Sequence, residues 1–126
     1  MRLLNVDTLK LHTYYGDWIP RYAILSHNWL QDDEEVTFQQ IQEPAACQGM
    51  KGFQKFKSLC GQAKKDFYKY VWIDTCYIDK SNSTELSEAI NSMFAWYKQA
   101  HVCYAYLADI NGEDDFVRSR WWSRAW

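Results

Sequence analysis

"KYVWIDTCYIDKSNSTELSEAINSMFAWYKQAHVCYAYLADI", residues 69–110, decides the fold. It opens on Tyr70-Val71-Trp72-Ile73, apolar at every position, as expected of a strand covered on both faces in a parallel sheet. The turn-forming Ser81-Asn82-Ser83 follows, and Asn82 with Glu85 three residues on is a capping-box variant. Leu86, Ala89, Ile90, Met93, Phe94, Tyr97 and Ala100 then recur at three- and four-residue steps, which is a helix with one face on a core. From Val102 a third buried strand closes the unit. A strand, a helix and a second strand of this length make a parallel crossover, right-handed by the sterics of twisted strands.

The segments on either side extend the same pattern. In "FQKFKSLCGQAKKDF", residues 53–67, Phe53, Phe56, Leu59, Cys60, Ala63 and Phe67 mark one side of a helix, and the lysines Lys55, Lys57, Lys64 and Lys65 fall mostly elsewhere. Upstream, "RYAILSHNW" holds the short apolar run Tyr22-Ala23-Ile24-Leu25, a buried strand. The acidic, then mixed, residues 30–52 contain Pro44, Gly49 and Gly52 and form a loop with one short helix near residues 38–42. Before them, Leu9, Leu11 and Thr13 share a face, Gly16-Asp17 signals a turn and Pro20 breaks the run. The fold class is α/β: an open, mostly parallel sheet with flanking helices, preceded by an N-terminal hairpin or short strands. At 126 residues the chain makes one domain around one core.

Composition narrows the function. Hydrophobic residues at 48% exclude wholesale disorder. A net charge of −2 provides no basic field, so nucleic acid is excluded as a main partner. No apolar run reaches the roughly 18 residues of a membrane span, and "MRLLNVDTLKLH" lacks the features of a secretion signal. The expected location is cytoplasmic. Cys47, Cys60, Cys76 and Cys103 are scattered and read as reduced thiols, Cys60 and Cys103 within apolar patterns as buried ones. His12, His27 and His101 are too dispersed for a zinc site, so no metal is expected.

In open α/β sheets ligands bind beyond the carboxyl ends of the strands. Here those ends run into Ser26-His27-Asn28-Trp29, into Asp74-Thr75-Cys76 with Asp79 beyond, and into Asp109. Parallel neighbours would gather these groups on one rim. His27 and Asp74 are the catalytic candidates, an imidazole base and a carboxylate; Ser26, Trp29, Cys76, Asp79 and Arg124 are candidates for substrate binding. Each has a structural alternative. His27 can bond loop backbone, Asp74 can cap a turn, and Asp79 suits an Asx turn. Cys76 has no base at a telling spacing and reads as packing. Glu85 reads as a cap and Glu88 as solvated, while Trp29, Trp72 and Trp96 read as packing. "SHNWLQDDEE" contains no glycine, which disfavours a Rossmann or phosphate-binding loop.

"YAILSHNW", the stretch from "VWIDTCYIDK" to "YLADI", and "SRWWSRAW" together resemble the fungal heterokaryon incompatibility (HET) domain, over almost the whole chain. The resemblance implies a cytoplasmic cell-death effector of fungal non-self recognition, acting by self-association or with related and receptor-type domains. HET domains are similar to TIR domains, which have a flavodoxin-like sheet. Some TIR domains hydrolyse NAD with a helical glutamate, so a NAD(P) glycohydrolase is the alternative, with NAD as substrate and no bound cofactor. In the family the segment matching "SRWWSRAW" continues as a helix carrying T-L-Q-E-L. The expectation is therefore a single HET domain over residues 1–126, truncated in its C-terminal helix and impaired as an enzyme for want of that glutamate. Trp121, Trp122 and Trp126 are expected on the buried face of that helix, with Arg118, Arg120 and Arg124 on its wetter side.

Overall fold

The computed structural model describes residues 1–16, 18–31, 33–110 and 113–123. Its strands are β1 (Arg2–Asn5), β2 (Leu11–Thr13), β3 (Tyr22–His27), β4 (Tyr70–Trp72) and β5 (Val102–Tyr106). They form one sheet in the order β2-β1-β4-β3-β5. The three apolar segments lie side by side and run the same way: β3 is central, parallel to β4 through Ala23–Val71 and to β5 through Ile24–Cys103. All six β3 residues are buried, as its unbroken apolar run requires.

The sheet is mixed rather than mostly parallel. The expected N-terminal hairpin forms, but β1 also adds antiparallel to the free edge of β4, with Leu4 opposite Val71. Pairing satisfies the row of amides that an uncovered β4 edge would leave open. Leu3 and Leu4 are fully buried as a result.

The helices are α1 (Phe38–Ile41), α2 (Lys51–Lys65), α3 (Asp74–Tyr77) and α4 (Ser83–Gln99). Thr37 and Gln40 start α1 with a reciprocal capping box. The Asn82 side chain accepts from the Glu85 N–H to start α4. Helix α2 connects β3 to β4, and α4 then carries the chain back across β3 to β5. The two helices lie on opposite faces. Lys55 of α2 reaches His27, whereas Trp96 and Tyr97 of α4 meet Trp72 edge-on. On the α4 side Tyr22 donates to the Trp96 carbonyl at 2.5 Å. Strand alternation accordingly points Tyr22, Ile24 and Ser26 toward α4 and Ala23, Leu25 and His27 toward α2.

Three expectations about burial fail on the α4 side and at the end of the chain. Ile90 and Phe94 share the apolar period of α4 but are 61% and 81% exposed, because the helix rests on the sheet through Ala89, Trp96 and Tyr97. Strand β5 is an edge strand, and the Cys103 thiol is exposed, not buried. Residues 113–123 form two 3-10 turns, Glu113–Arg118 and Arg120–Ser123, in place of a regular helix. Trp121 is half-buried there and Trp122 is 55% exposed. Arg124 and Trp126 lie outside the described residues. Among the described residues no helix is long and apolar enough to cross a membrane.

Candidate functional site

Strand β3 ends on His27, and the chain leaves β4 directly into the first turn of α3, whose first residue is Asp74. Parallel pairing of the two strands sets these ends side by side. His27 Nε2 lies 2.8 Å from Asp74 Oδ1, and the Trp29 indole N–H donates to the other carboxylate oxygen at 3.0 Å. On the far side of the imidazole, Lys55 Nζ is 2.9 Å from His27 Nδ1 and 3.1 Å from the Asn28 carbonyl, and it also pairs with Glu35. Glu35 in turn accepts the Leu30 N–H at 2.7 Å. Lys80 sits over the Trp29 ring, 4.0 Å from its centre.

This arrangement orders the protons. An ammonium has only donors, so the three Lys55 protons go to Nδ1, to the Asn28 carbonyl and to Glu35. Nδ1 also lies 3.1 Å from the Asn28 carbonyl; where the Lys55 ammonium donates to it, Nδ1 is the bare nitrogen, and the imidazole proton sits on Nε2 and donates to Asp74. Burial pulls the Lys55 ammonium below its ordinary range, and the neighbouring Glu35 pulls the other way. The side chains of His27, Asp74 and Lys55 are 0%, 2% and 1% exposed. Such a cluster is tolerable in a core because its polar groups are paired. The His27 side chain has no accessible surface in this arrangement.

The other sequence candidates are dispersed. Ser26 points to the opposite face of β3, where its hydroxyl accepts the Trp121 indole N–H at 3.0 Å. Trp29 joins the cluster but is 57% exposed, so it covers the site instead of packing inside the core. Cys76 is fully buried in α3, and burial, reinforced by the Asp74 charge, drives its thiol well above the ordinary range. That thiol is inert packing. Asp79 forms the expected Asx turn, accepting from Ser81 N–H at 3.0 Å and from Gln39 Nε2 at 2.9 Å. The Ser81 hydroxyl bonded to its carboxylate holds Asp79 below the usual range. Asp109 accepts from Ser119 Oγ at 2.9 Å and from the Arg120 N–H at 2.8 Å. Arg124 lies outside the described residues. Among those residues no group of His, Cys, Asp and Glu could hold a metal ion.

Lys55 and Glu35 are the residues that sequence reasoning missed. Lys55 had a signal: it is four residues before Leu59 and three after Gly52, on the stripe that α2 buries. A lysine there needs an acid, and Glu35 supplies it. Glu35 itself sits in the run Asp32-Asp33-Glu34-Glu35, where composition distinguishes none of the four. A second ion pair, Arg2 with Glu85, ties β1 to the first turn of α4, and Glu85 also accepts the Asp79 N–H at 2.8 Å.

Comparison with known proteins adds a family to this geometry. Residues 22–120 match the family described as heterokaryon incompatibility protein (HET). The chain is similar to the vegetative incompatibility protein HET-E-1 of Podospora anserina, with 44% identity over 119 residues, covering 86% of this chain and 9% of that protein. The chain thus spans about a tenth of the length of the curated relative it matches. No solved structure matches it significantly.

Proposed function

The chain belongs to the heterokaryon incompatibility family, and from that premise we propose that it is a cytoplasmic signalling domain of fungal non-self recognition. It triggers cell death by associating with copies of itself or with related and receptor-type domains. One contrast carries this reading. The two best catalytic candidates, His27 and Asp74, are bonded to each other and sealed from solvent, whereas Phe67, Ile90 and Phe94 stand open to it. Contiguous exposed apolar surface marks interaction sites, and Ile90 and Phe94 lie four residues apart, on one side of α4. Light scattering over a concentration series tests the reading. The apparent mass should climb with concentration; a strict monomer at the highest concentrations sinks it.

A second reading, a TIR-like NAD(P) glycohydrolase, is favoured by the strand order. In β4-β3-β5 the chain steps from β3 to one side and then crosses to the other. In flavodoxin-like sheets ligands bind where the order reverses in this way, which here is between the ends of β3 and β5. His27 and Tyr106 are paired at that point. The measurement is nicotinamide release from NAD by protein held in forced oligomers, and its absence eliminates the enzyme reading.

A further inference from the structure

We infer that the end of the sheet opposite His27 docks on an anionic bilayer surface. Leu9 and Phe67 enter the headgroup boundary there, and the lysines and arginine beside them meet the charged headgroups. The inference goes beyond the self-association reading and does not depend on it.

Strands β3 and β4 start at this end, on Tyr22 and Tyr70, and antiparallel β1 finishes there with Asn5 opposite Tyr70. Three segments therefore share it: residues 6–10, 20–21 and 66–69. The first and last are joined by the Val6 N–H, which donates to the Lys69 carbonyl at 2.9 Å. Arg21 shares a shallow pocket with Phe67 and Lys69, and Leu9 shares a groove with Lys64.

Among the described residues, Leu9 and Phe67 are the two that have a positive φ without being glycine, at +54° and +62°. Both turns are held by backbone bonds. The Leu9 N–H donates to the Asn5 carbonyl at 2.8 Å, and beside Phe67 the Tyr68 N–H donates to the Ala63 carbonyl at 2.8 Å. Glycine is the usual occupant of such positions, because a side chain is crowded in the left-handed region. Bulky apolar side chains there are strained. Burial does not offset the strain, since Phe67 is 95% exposed and Leu9 41%. Two neighbouring turns thus hold apolar side chains outward where backbone and water both favour glycine.

Charge selects the partner. Lys10, Arg21, Lys64, Lys65 and Lys69 are all exposed. The acids of the same stretch are Asp7, which pairs with Lys64 at 3.6 Å, and Asp66, which accepts from Gln62 and from the Tyr104 hydroxyl. Five cations against two acids make this end positive in a chain whose net charge is −2. A protein partner would need a cleft shaped to the two tips. A bilayer surface needs none: apolar tips sink into the headgroup boundary while cations stay at headgroup level. The contact is peripheral and spans nothing.

Cosedimentation of the 126-residue chain with vesicles tests this, at protein concentrations low enough for a monomer. The chain should bind vesicles of equimolar phosphatidylcholine and phosphatidylserine, ignore phosphatidylcholine alone, and be released by salt. Phe67→Gly and Leu9→Gly each remove an apolar tip where glycine is welcome. Their thermal midpoints should equal or exceed the parent's, while each binds roughly tenfold more weakly. Lys65→Gln combined with Lys69→Gln should bind roughly thirtyfold more weakly. Equal binding to both kinds of vesicle, or binding that all these variants leave unchanged, overturns the inference. A parent that ignores the anionic vesicles overturns it too, and its retention on immobilised polyglutamate would assign this end to an acidic protein instead. Self-association stands or falls separately, on light scattering without lipid.

Discussion

Helices α2 and α4 cover opposite faces of one sheet on different terms. Seven of the fifteen residues of α2 are buried, against one of seventeen in α4. Helix α2 buries Phe56, Leu59 and Ala63 and, through Lys55, the charged cluster around His27. Under α4, edge-on ring contacts with Trp72 and two tyrosine hydroxyls bonded to backbone carbonyls do most of the holding. The difference teaches that residues with the same helical period can be buried on one face of the sheet and left open to solvent on the other. It also locates His27, Asp74 and Lys55, but not Ser26, on the side where removing them costs most.

Lys55→Met should have the largest effect. It strands Glu35 as a buried charge and leaves His27 Nδ1 without its donor, a loss of about 3–5 kcal/mol for a broken buried pair. Urea unfolding measures it, and a loss below about 1 kcal/mol would mean that the cluster is hydrated. Next comes Gly52→Ala. A Cβ at Gly52 would lie 2.8 Å from the Glu34 carbonyl oxygen and 2.8 Å from the Val36 nitrogen. Backbone cannot step aside cheaply, so about 1–3 kcal/mol is expected, enough to show as a lower thermal midpoint. An unchanged midpoint would show that the Glu34–Val36 loop is not clamped against α2.

Alkaline titration probes both faces together. Burial pushes the Tyr22 hydroxyl from 10 to about 12 and the Cys60 thiol from 9 to about 12. The folded protein holds protons that the unfolded chain releases, so their contribution is complete below about pH 9 and lost as pH rises toward about 12. The urea midpoint should fall over that window; a flat profile would show that these groups are hydrated in the fold. Phe94→Ala should do least, within about 0.5 kcal/mol, as at an exposed site with no fixed partner. A loss of about 2 kcal/mol or more would place Phe94 inside the core and erase the contrast between the helices.

Much of the architecture follows directly from the chain. Unbroken apolar runs at Tyr22 and Tyr70 mark strands buried on both faces, and the three-and-four spacing marks both long helices. What the pattern does not carry is completeness of cover. Ile90 and Phe94 keep the apolar period of α4 but lie beyond the strip that the sheet reaches, and β5 looks internal until its place at the edge of the sheet is seen. The docking of β1 against β4 is similarly unwritten, since a short strand pairs as well with one neighbour as with two. At the rim, the rule that polar residues gather at strand ends brings His27, Trp29 and Asp74 together. It says nothing about which face of β3 each uses, and so Ser26 parts from His27. Lys55 stands on the apolar stripe of α2 as a visible anomaly, but its partner is chosen by the path of a loop.

The proton arrangement around His27 offers the sharpest check. Imidazole ¹⁵N shifts of the labelled protein at neutral pH should show Nε2 carrying the proton, Nδ1 bare, and the Nε2 proton exchanging slowly with water. A proton on Nδ1, or rapid solvent exchange at Nε2, would mean that Lys55 does not donate to the ring and that the rim is open. His27 would then be free to meet a substrate, and the contrast between a sealed polar cluster and an open apolar face would collapse.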